Sequence, residues 1–350
     1  MRPTFSIICF TVLSGIGYGA WFLLGLGLAI GPWCGPRSAP DADGVSLVLC
    51  HTAFDTLAGL LVAFAFVAGG LLCSLGHLGK PQRAWRALSQ WRTSWLSREG
   101  VAALLTFVPA SVLLAQSAGI LWLQWTATGD HIPPRWWFGT GWLDFVRPVL
   151  GALLAMGSFV TVYCTANIYA SLKPIRAWHE RHVVPAYLLL GLHGGGLLLL
   201  AAAALDGMMW QRDRQILLAG TILLAALGAG LKRRYWRSID AQHAVTAGRA
   251  TGLDALGAVR PLEAPHTEEN YLVHEMGFVL ARRHARTLRR LTLVAAFLLP
   301  ALLAALALAV PATWPFAAWL ALASGVTGLL VERWLFFAEA KHAVMAYYAR

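Results

Sequence analysis

Long apolar runs recur along the chain, each near the ~20 residues that an α-helix needs to cross a bilayer. There are eight, at about 5–30, 47–76, 100–125, 147–170, 185–205, 215–231, 291–310 and 316–340. The pattern predicts an all-α polytopic membrane protein, a single integral membrane domain over 1–350 with eight transmembrane helices. An even number of spans can divide into two four-helix bundles, although no sequence repeat marks two halves. Glycines inside the spans, as in Gly15-Ile-Gly-Tyr-Gly19, Gly69-Gly70 and Gly194-Gly195-Gly196, suit close helix packing in lipid. The first run has only Arg2 before it and outlasts a signal-peptide core, so it is expected to stay as a span.

Composition agrees with that reading: 58% of the residues are hydrophobic and 13% charged, against roughly a quarter charged in a soluble domain. The charge sets an orientation. Of the 28 Lys and Arg, 22 fall on the side that holds Arg2, the 77–99 connection, Lys173 to Arg181, the 232–290 segment and the C-terminus. Five fall on the other side, and Arg333 lies within the last span. Cationic loops stay cytoplasmic, so both termini and the 77–99 loop are expected inside. The net charge of +11 therefore points to anionic lipid and a cytoplasmic partner, not to nucleic acid. On the opposite face, Trp136, Trp137, Phe138 and Trp142 around Pro133-Pro134 fit an interfacial aromatic belt.

Two connections stand out. Between Cys73 and Gly100, the residues Lys80, Arg83, Arg86, Arg92 and Arg98 interleave with Trp85, Trp91 and Trp95. Pro81 is expected to stop the second helix near Gly79. Ser97 is a candidate N-cap for the third, with Glu99 in its first turn. The 232–290 segment reads as a cytoplasmic loop, irregular around Pro261 and Pro265, then an amphipathic basic helix from Glu268 to Arg290. That helix fits the inner leaflet and a partner-docking surface equally well.

Ionisable side chains inside spans are costly and are functional candidates by default. They are Asp55, His193, Glu332 and Arg333, with His51, His77, Glu99, Glu339 and His342 near span ends. Glu332 and Arg333 equally suit neutralisation of neighbouring groups, and Asp55 suits either proton relay or a structural hydrogen bond that caps a neighbouring helix. Haem b needs histidines at matching depth on facing helices. No such pair emerges, so a haem-free protein is expected. The five cysteines form no C-x-x-C pair, so no iron–sulfur cluster is expected in this chain. Cys34 and Cys50 could approach each other at the outer surface, but two free buried thiols is the plainer reading. His77 and Glu99 put an imidazole and a carboxylate at one membrane surface, which suits proton-coupled chemistry.

The run Leu75-Gly-His-Leu-Gly-Lys-Pro-Gln-Arg-Ala84, followed by Trp95-Leu-Ser-Arg-Glu99, resembles the signature of the DMSO reductase membrane-anchor family. Glu332-Arg333-Trp-Leu-Phe-Phe337 supports it, and Pro265 to Arg290 resembles a longer-looped branch. The resemblance implies a haem-free, eight-helix anchor in a bacterial inner membrane. It implies two partners, a ferredoxin-like iron–sulfur subunit and a molybdopterin catalytic subunit, and electron exchange with ubiquinone or menaquinone. The family's quinol-site histidine and glutamate map onto His77 and Glu99; Lys80, Arg83 and Arg98 join them by position alone. The basic, cytoplasmic loop departs from the periplasm-facing arrangement and is more similar to the cytoplasm-facing, sulfite-oxidising branch. Three alternatives stay open: an anchor for a DMSO or related oxyanion reductase oxidising menaquinol, a proton-coupled secondary transporter, and a purely structural anchor.

Overall fold

The computed structural model describes residues 4–30, 53–76, 78–126, 140–205, 211–242, 246–259, 262–263 and 280–347. Helices α1 (Phe5–Ile30), α2 (Ala53–Leu75), α3 (Trp95–Thr126), α4 (Thr140–Ala170), α5 (Val183–Ala203) and α6 (Gln211–Ala241) follow in order. A short α7 (Ala247–Thr251) precedes α8 (Leu280–Thr292), which passes through a π-helical turn (Leu293–Leu298) into α9 (Leu299–Ala309). The last long helix is α10 (Trp314–Ala338). Among the described residues eight helical stretches are long and apolar enough to span a membrane, with α8, the π turn and α9 together contributing the seventh. Among the described residues there is no β-strand, only an isolated bridge between Ile175 and His342. The expected aromatic belt at 136–138 and the Cys34–Cys50 approach lie outside the described residues, as does the side chain of Trp142.

Helix α1 is the packing hub. Three helices, α2, α4 and α5, lie along it, and its small residues set how near they come. A Cβ on Gly19 would collide with the Gly191 carbonyl of α5, and one on Gly195 would collide with the Ala20 amide of α1. On another face, a Cβ on Gly25 would sit 2.6 Å from the Gly151 carbonyl oxygen of α4. These helices touch backbone to backbone, which is how association gains dispersion energy where lipid removes the hydrophobic drive. Trp21 fills the angle between α1, α2 and α3, meeting Phe107 edge-on at 5.3 Å and Phe64 at 6.2 Å.

Several boundaries differ from the sequence expectation. Helix α3 starts at Trp95, about five residues earlier than expected, because the Trp95 ring packs on Tyr163 of α4 and carries Arg98 on its face. Ser97 is therefore the third helical residue, not the N-cap. Its hydroxyl donates to the Ala87 carbonyl, tying α3 to the 3-10 helix Pro81–Gln90. Helix α6 continues to Ala241, so Lys232 belongs to a helix and not to a loop, and its side chain is buried. The described part of the basic helix, α8, is continuous with the seventh span and packs on α10.

The π turn has a local cause. Gly328 of α10 presses against the Ala296 backbone, where a Cβ could not fit, and Phe297 packs against Gly228 of α6. The widened turn exposes carbonyls that other helices satisfy: the Ser324 hydroxyl donates to Ala295 O at 2.7 Å, and His193 Nε2 meets Ala296 O at 2.8 Å.

The hub predicts a paired outcome. Gly19→Val forces α1 and α5 apart, and the monodisperse yield in detergent should collapse. Gly69→Ala, whose added methyl meets nothing within 4 Å, should leave size-exclusion profile and melting midpoint unchanged.

Candidate functional site

Glu99, the fifth residue of α3, is 6% exposed at the end of the bundle where the Arg- and Trp-rich connection sits. Its Oε1 accepts a hydrogen bond from the Thr165 hydroxyl of α4 at 2.5 Å. One turn deeper, the Thr161 and Thr106 hydroxyls lie 3.5 Å apart across the same helix pair. Glu99 and Thr106 are seven apart on α3; Ser158, Thr161 and Thr165 are spaced by three and four on α4. At 3.6 residues per turn such positions share a face, so a stripe of hydroxyls runs inward from the carboxylate. All of these side chains are buried.

The connection above Glu99 is itself ordered by cations. The Arg98 guanidinium lies 4.4 Å from the centre of the Trp95 ring and donates to the loop carbonyls of Trp91 at 3.1 Å and Arg92 at 2.6 Å. Arg98, expected beside the site, is spent on holding the loop. Lys80 and Arg83 stand exposed on the outer surface. Trp85 is 66% exposed with Arg86 over its ring, and Trp91 carries Arg92 in the same way. His77 and His51 lie outside the described residues, as does the side chain of Asp55.

The second cluster joins α6, α8 and α10. Lys232 Nζ meets Glu332 Oε1 at 2.6 Å and lies 4.1 Å from the Tyr235 ring centre. Arg333 faces Glu332 Oε2 at 3.6 Å and stacks 3.9 Å from the Tyr187 ring centre. Towards the surface, Arg289 binds Glu339 at 2.9 Å and both oxygens of Asp240 at 2.6 and 2.9 Å. Burial pushes the Glu339 carboxyl above its ordinary range, against the pull of Arg289. The six groups balance as three cations and three anions. Sequence reasoning found Glu332 and Arg333 and missed Lys232, whose partner lies a hundred residues away. His193 Nε2 meets the Ala296 carbonyl at 2.8 Å, and its buried Nδ1 has no partner among the described residues.

The same end is closed by the 171–182 connection. Trp178 Nε1 donates to Phe336 O at 3.0 Å, Tyr235 Oη to Ala177 O at 3.0 Å, and Ala343 N to Pro174 O at 2.9 Å. Glu180 accepts from the His182 amide at 2.7 Å and the Ser238 hydroxyl at 2.9 Å. Burial works against its ionised form, but these hydrogen bonds and the His182 ring prevail and hold its carboxyl below the ordinary range. Among the described residues no three His, Cys, Asp or Glu side chains group as a metal site.

Comparison with known proteins places this geometry. Residues 1–338 match the family model described as DMSO reductase anchor subunit (DmsC). A sulfite dehydrogenase subunit from Allochromatium vinosum is 30% identical over 354 aligned positions, covering 99% of each chain. No solved structure matches.

Two outcomes follow from the clusters. Removing one partner of a buried ion pair costs about 3–5 kcal/mol, because a charge is left uncompensated. Glu332→Gln should lower the detergent melting midpoint sharply, and adding Lys232→Met should restore part of it. Glu180 has a depressed folded pKa, so its stabilisation is present above the unfolded value and lost as pH falls through the folded one. Glu180→Gln should therefore lower stability at neutral pH and flatten the acid limb of the stability profile, leaving the most acidic end little changed.

Proposed function

Since the chain belongs to the DMSO reductase anchor subunit (DmsC) family, and is thus a membrane anchor of an oxidoreductase complex, we propose that it also binds quinone and relays electrons. The relay runs between an iron–sulfur partner and the quinone pool. The observation that carries this reading is Glu99: a carboxylate buried at the membrane edge, held by Thr165, directly beneath an exposed Arg/Trp surface. Interconversion of quinone and quinol moves two electrons and two protons. Glu99 provides a proton-exchanging group beside an apolar interior, and the electrons come from the docked partner. In this reading the sequence resemblance assigns His77 as the partner of Glu99.

The exposed Trp85 and Trp91, each under an arginine, suit a docking surface for an acidic partner, since Trp and Arg anchor interfaces. We read the partners as an iron–sulfur subunit and a molybdopterin subunit on the cytoplasmic face. The charge asymmetry of the loops supports that sidedness. Sulfite oxidation is the reaction supported by the resemblance to the sulfite dehydrogenase protein, together with a basic loop on the inner side. We read the chain as haem-free: among the described histidines, His193 lies deep in a span and has its Nε2 committed to Ala296. The location is the bacterial inner membrane.

Glu99→Gln should leave the complex assembled, as judged by co-purification, and reduce quinone-linked turnover at least ten-fold; wild-type turnover would remove Glu99 from the site. A cysteine replacing Gln90, in a background without the native cysteines, should resist an impermeant thiol reagent in intact cells. It should react in opened membranes that lack the partners and be shielded when they are bound. Labelling in intact cells would place the catalytic partners outside and favour a periplasm-facing reductase. The purified complex should show no b-type Soret difference assignable to this chain.

A further inference from the structure

Cys9 and Cys73 are far apart in sequence and meet where α1 and α2 cross. Cys9 is the fifth residue of α1 and Cys73 the third from the end of α2, so both lie near the same end of the bundle. The Cys9 thiol is in hydrogen-bond contact with the Cys73 thiol. The backbone explains why they meet. One turn deeper, a Cβ on Gly70 would sit 2.6 Å from the Ser14 amide nitrogen and 3.1 Å from the Phe10 carbonyl oxygen. One turn outwards, a Cβ on Gly76 would lie 3.7 Å from the Ser6 Cβ. The two helices therefore run antiparallel in a fixed register, with Ser6 opposite Gly76 and Phe10 opposite Gly70. Cys9 and Cys73 fall between those two contacts, each on its own helix. Both thiols are free and part-buried, whereas Cys164 is buried.

We propose that Cys9 and Cys73 form a redox-active dithiol, which a hydroperoxide converts into a disulfide joining α1 to α2. The Cys73 sulfur, in the last turn of its helix, attacks the peroxide O–O bond. It becomes a sulfenic acid and releases water or an alcohol. The Cys9 sulfur then displaces the sulfenic oxygen as a second water, and the S–S bond forms. Two thiols lose two electrons and two protons in all, and the hydroperoxide is reduced by the same two electrons. An added dithiol reverses the step by thiol–disulfide exchange. A disulfide needs Cα atoms about 4.4–6.8 Å apart, and helices that touch through their backbones, as these do at Gly70, come within that range. Contact is what separates this pair from two unrelated cysteines, because the resolving sulfur is already in place.

The place of the cross-link gives it a consequence. The Cys73 carbonyl accepts the Gly76 amide at 3.0 Å in the turn that ends α2, and the Arg- and Trp-rich connection follows. Bonded sulfurs lie about 2 Å apart, closer than two thiols in hydrogen-bond contact. Gly70 leaves the helices no slack to close together. The last turn of α2 must therefore rotate to form the bond, and the start of the connection moves with it. Oxidation thereby weakens the engagement of the partner that feeds electrons to this chain. This second part rests on the reading of the connection as the docking surface; the cross-link itself does not.

The test uses membranes holding the whole complex, with Cys34, Cys50 and Cys164 replaced by alanine so that only this pair remains. After a pulse of hydrogen peroxide the chain is denatured and its free thiols are blocked with N-ethylmaleimide. Disulfides are then reduced, and the released thiols are tagged with a maleimide polymer. Both cysteines should take the tag, and neither Cys9→Ser nor Cys73→Ser should take any. Without reduction, the peptides that carry the two cysteines should appear as one cross-linked species. Quinone-linked turnover should be largely lost on oxidation and return with dithiothreitol, while both serine variants keep their untreated rate. Reduction of an artificial acceptor by the catalytic partner should not change. An untagged pair, or tagging that persists in a serine variant, overturns the dithiol. A complete disulfide with unchanged turnover overturns the effect on docking. A complex with no quinone-linked turnover before treatment would sink the quinone reading, and the tagging would still decide the dithiol by itself.

Discussion

Direct backbone contact between α1 and α5 is the constraint on which the rest of this molecule depends. Within lipid, two helices gain little from hiding apolar surface, so their attraction is dispersion and must be won by proximity. Gly19, Gly191 and Gly195 supply it. Because α1 also lies along α2 and α4, one crossing fixes the frame for both the Glu99 stripe and the Lys232 cluster.

The two polar systems answer the cost of buried polarity in different ways. Around Glu332 the cost is offset by charge balance, with three cations facing three anions and aromatic faces under Lys232 and Arg333. This is an electrostatically closed arrangement and suits a structural clamp between α6, α8 and α10. Around Glu99 a carboxylate meets one hydroxyl, with no cation bound to it among the described residues. That arrangement is open, able to exchange a proton with a partner. The contrast supports the proposed proton chemistry at Glu99 and fits a rigid clamp at Glu332, although both are buried acids in apolar helices.

The helices were legible because hydropathy at span length is a strong signal. Glu332 was legible because charge in an apolar run is rare, and Glu99 because it ends the Trp95-Leu-Ser-Arg-Glu99 signature beside the basic connection. Lys232 was not: local hydropathy ends near residue 231, so a buried cation at a helix interior reads as the start of a loop. The start of α3 was hidden for a related reason. Trp95, Ser97 and Arg98 have the composition of a loop, and only the contacts of Trp95 with Tyr163 and of Ser97 with Ala87 make them helical. The Ser158–Thr161–Thr165 stripe has the right period, but hydroxyls in membrane helices commonly bond their own backbone. Nothing local marks these as facing Glu99.

The distance in sequence between Lys232 and Glu332 has a consequence for how the protein is made. Helix α6 leaves the ribosome with its ammonium a hundred residues ahead of the carboxylate that neutralises it. Until α10 arrives, the lysine must stretch its aliphatic stem towards the headgroups, as such side chains do at membrane edges. The second half of the molecule can therefore close only after the last span is inserted, whereas α1, α2 and α4 can already engage. A nascent chain that stops short of α10 carries an unmatched charge in the bilayer, which is the kind of defect that membrane quality control can detect.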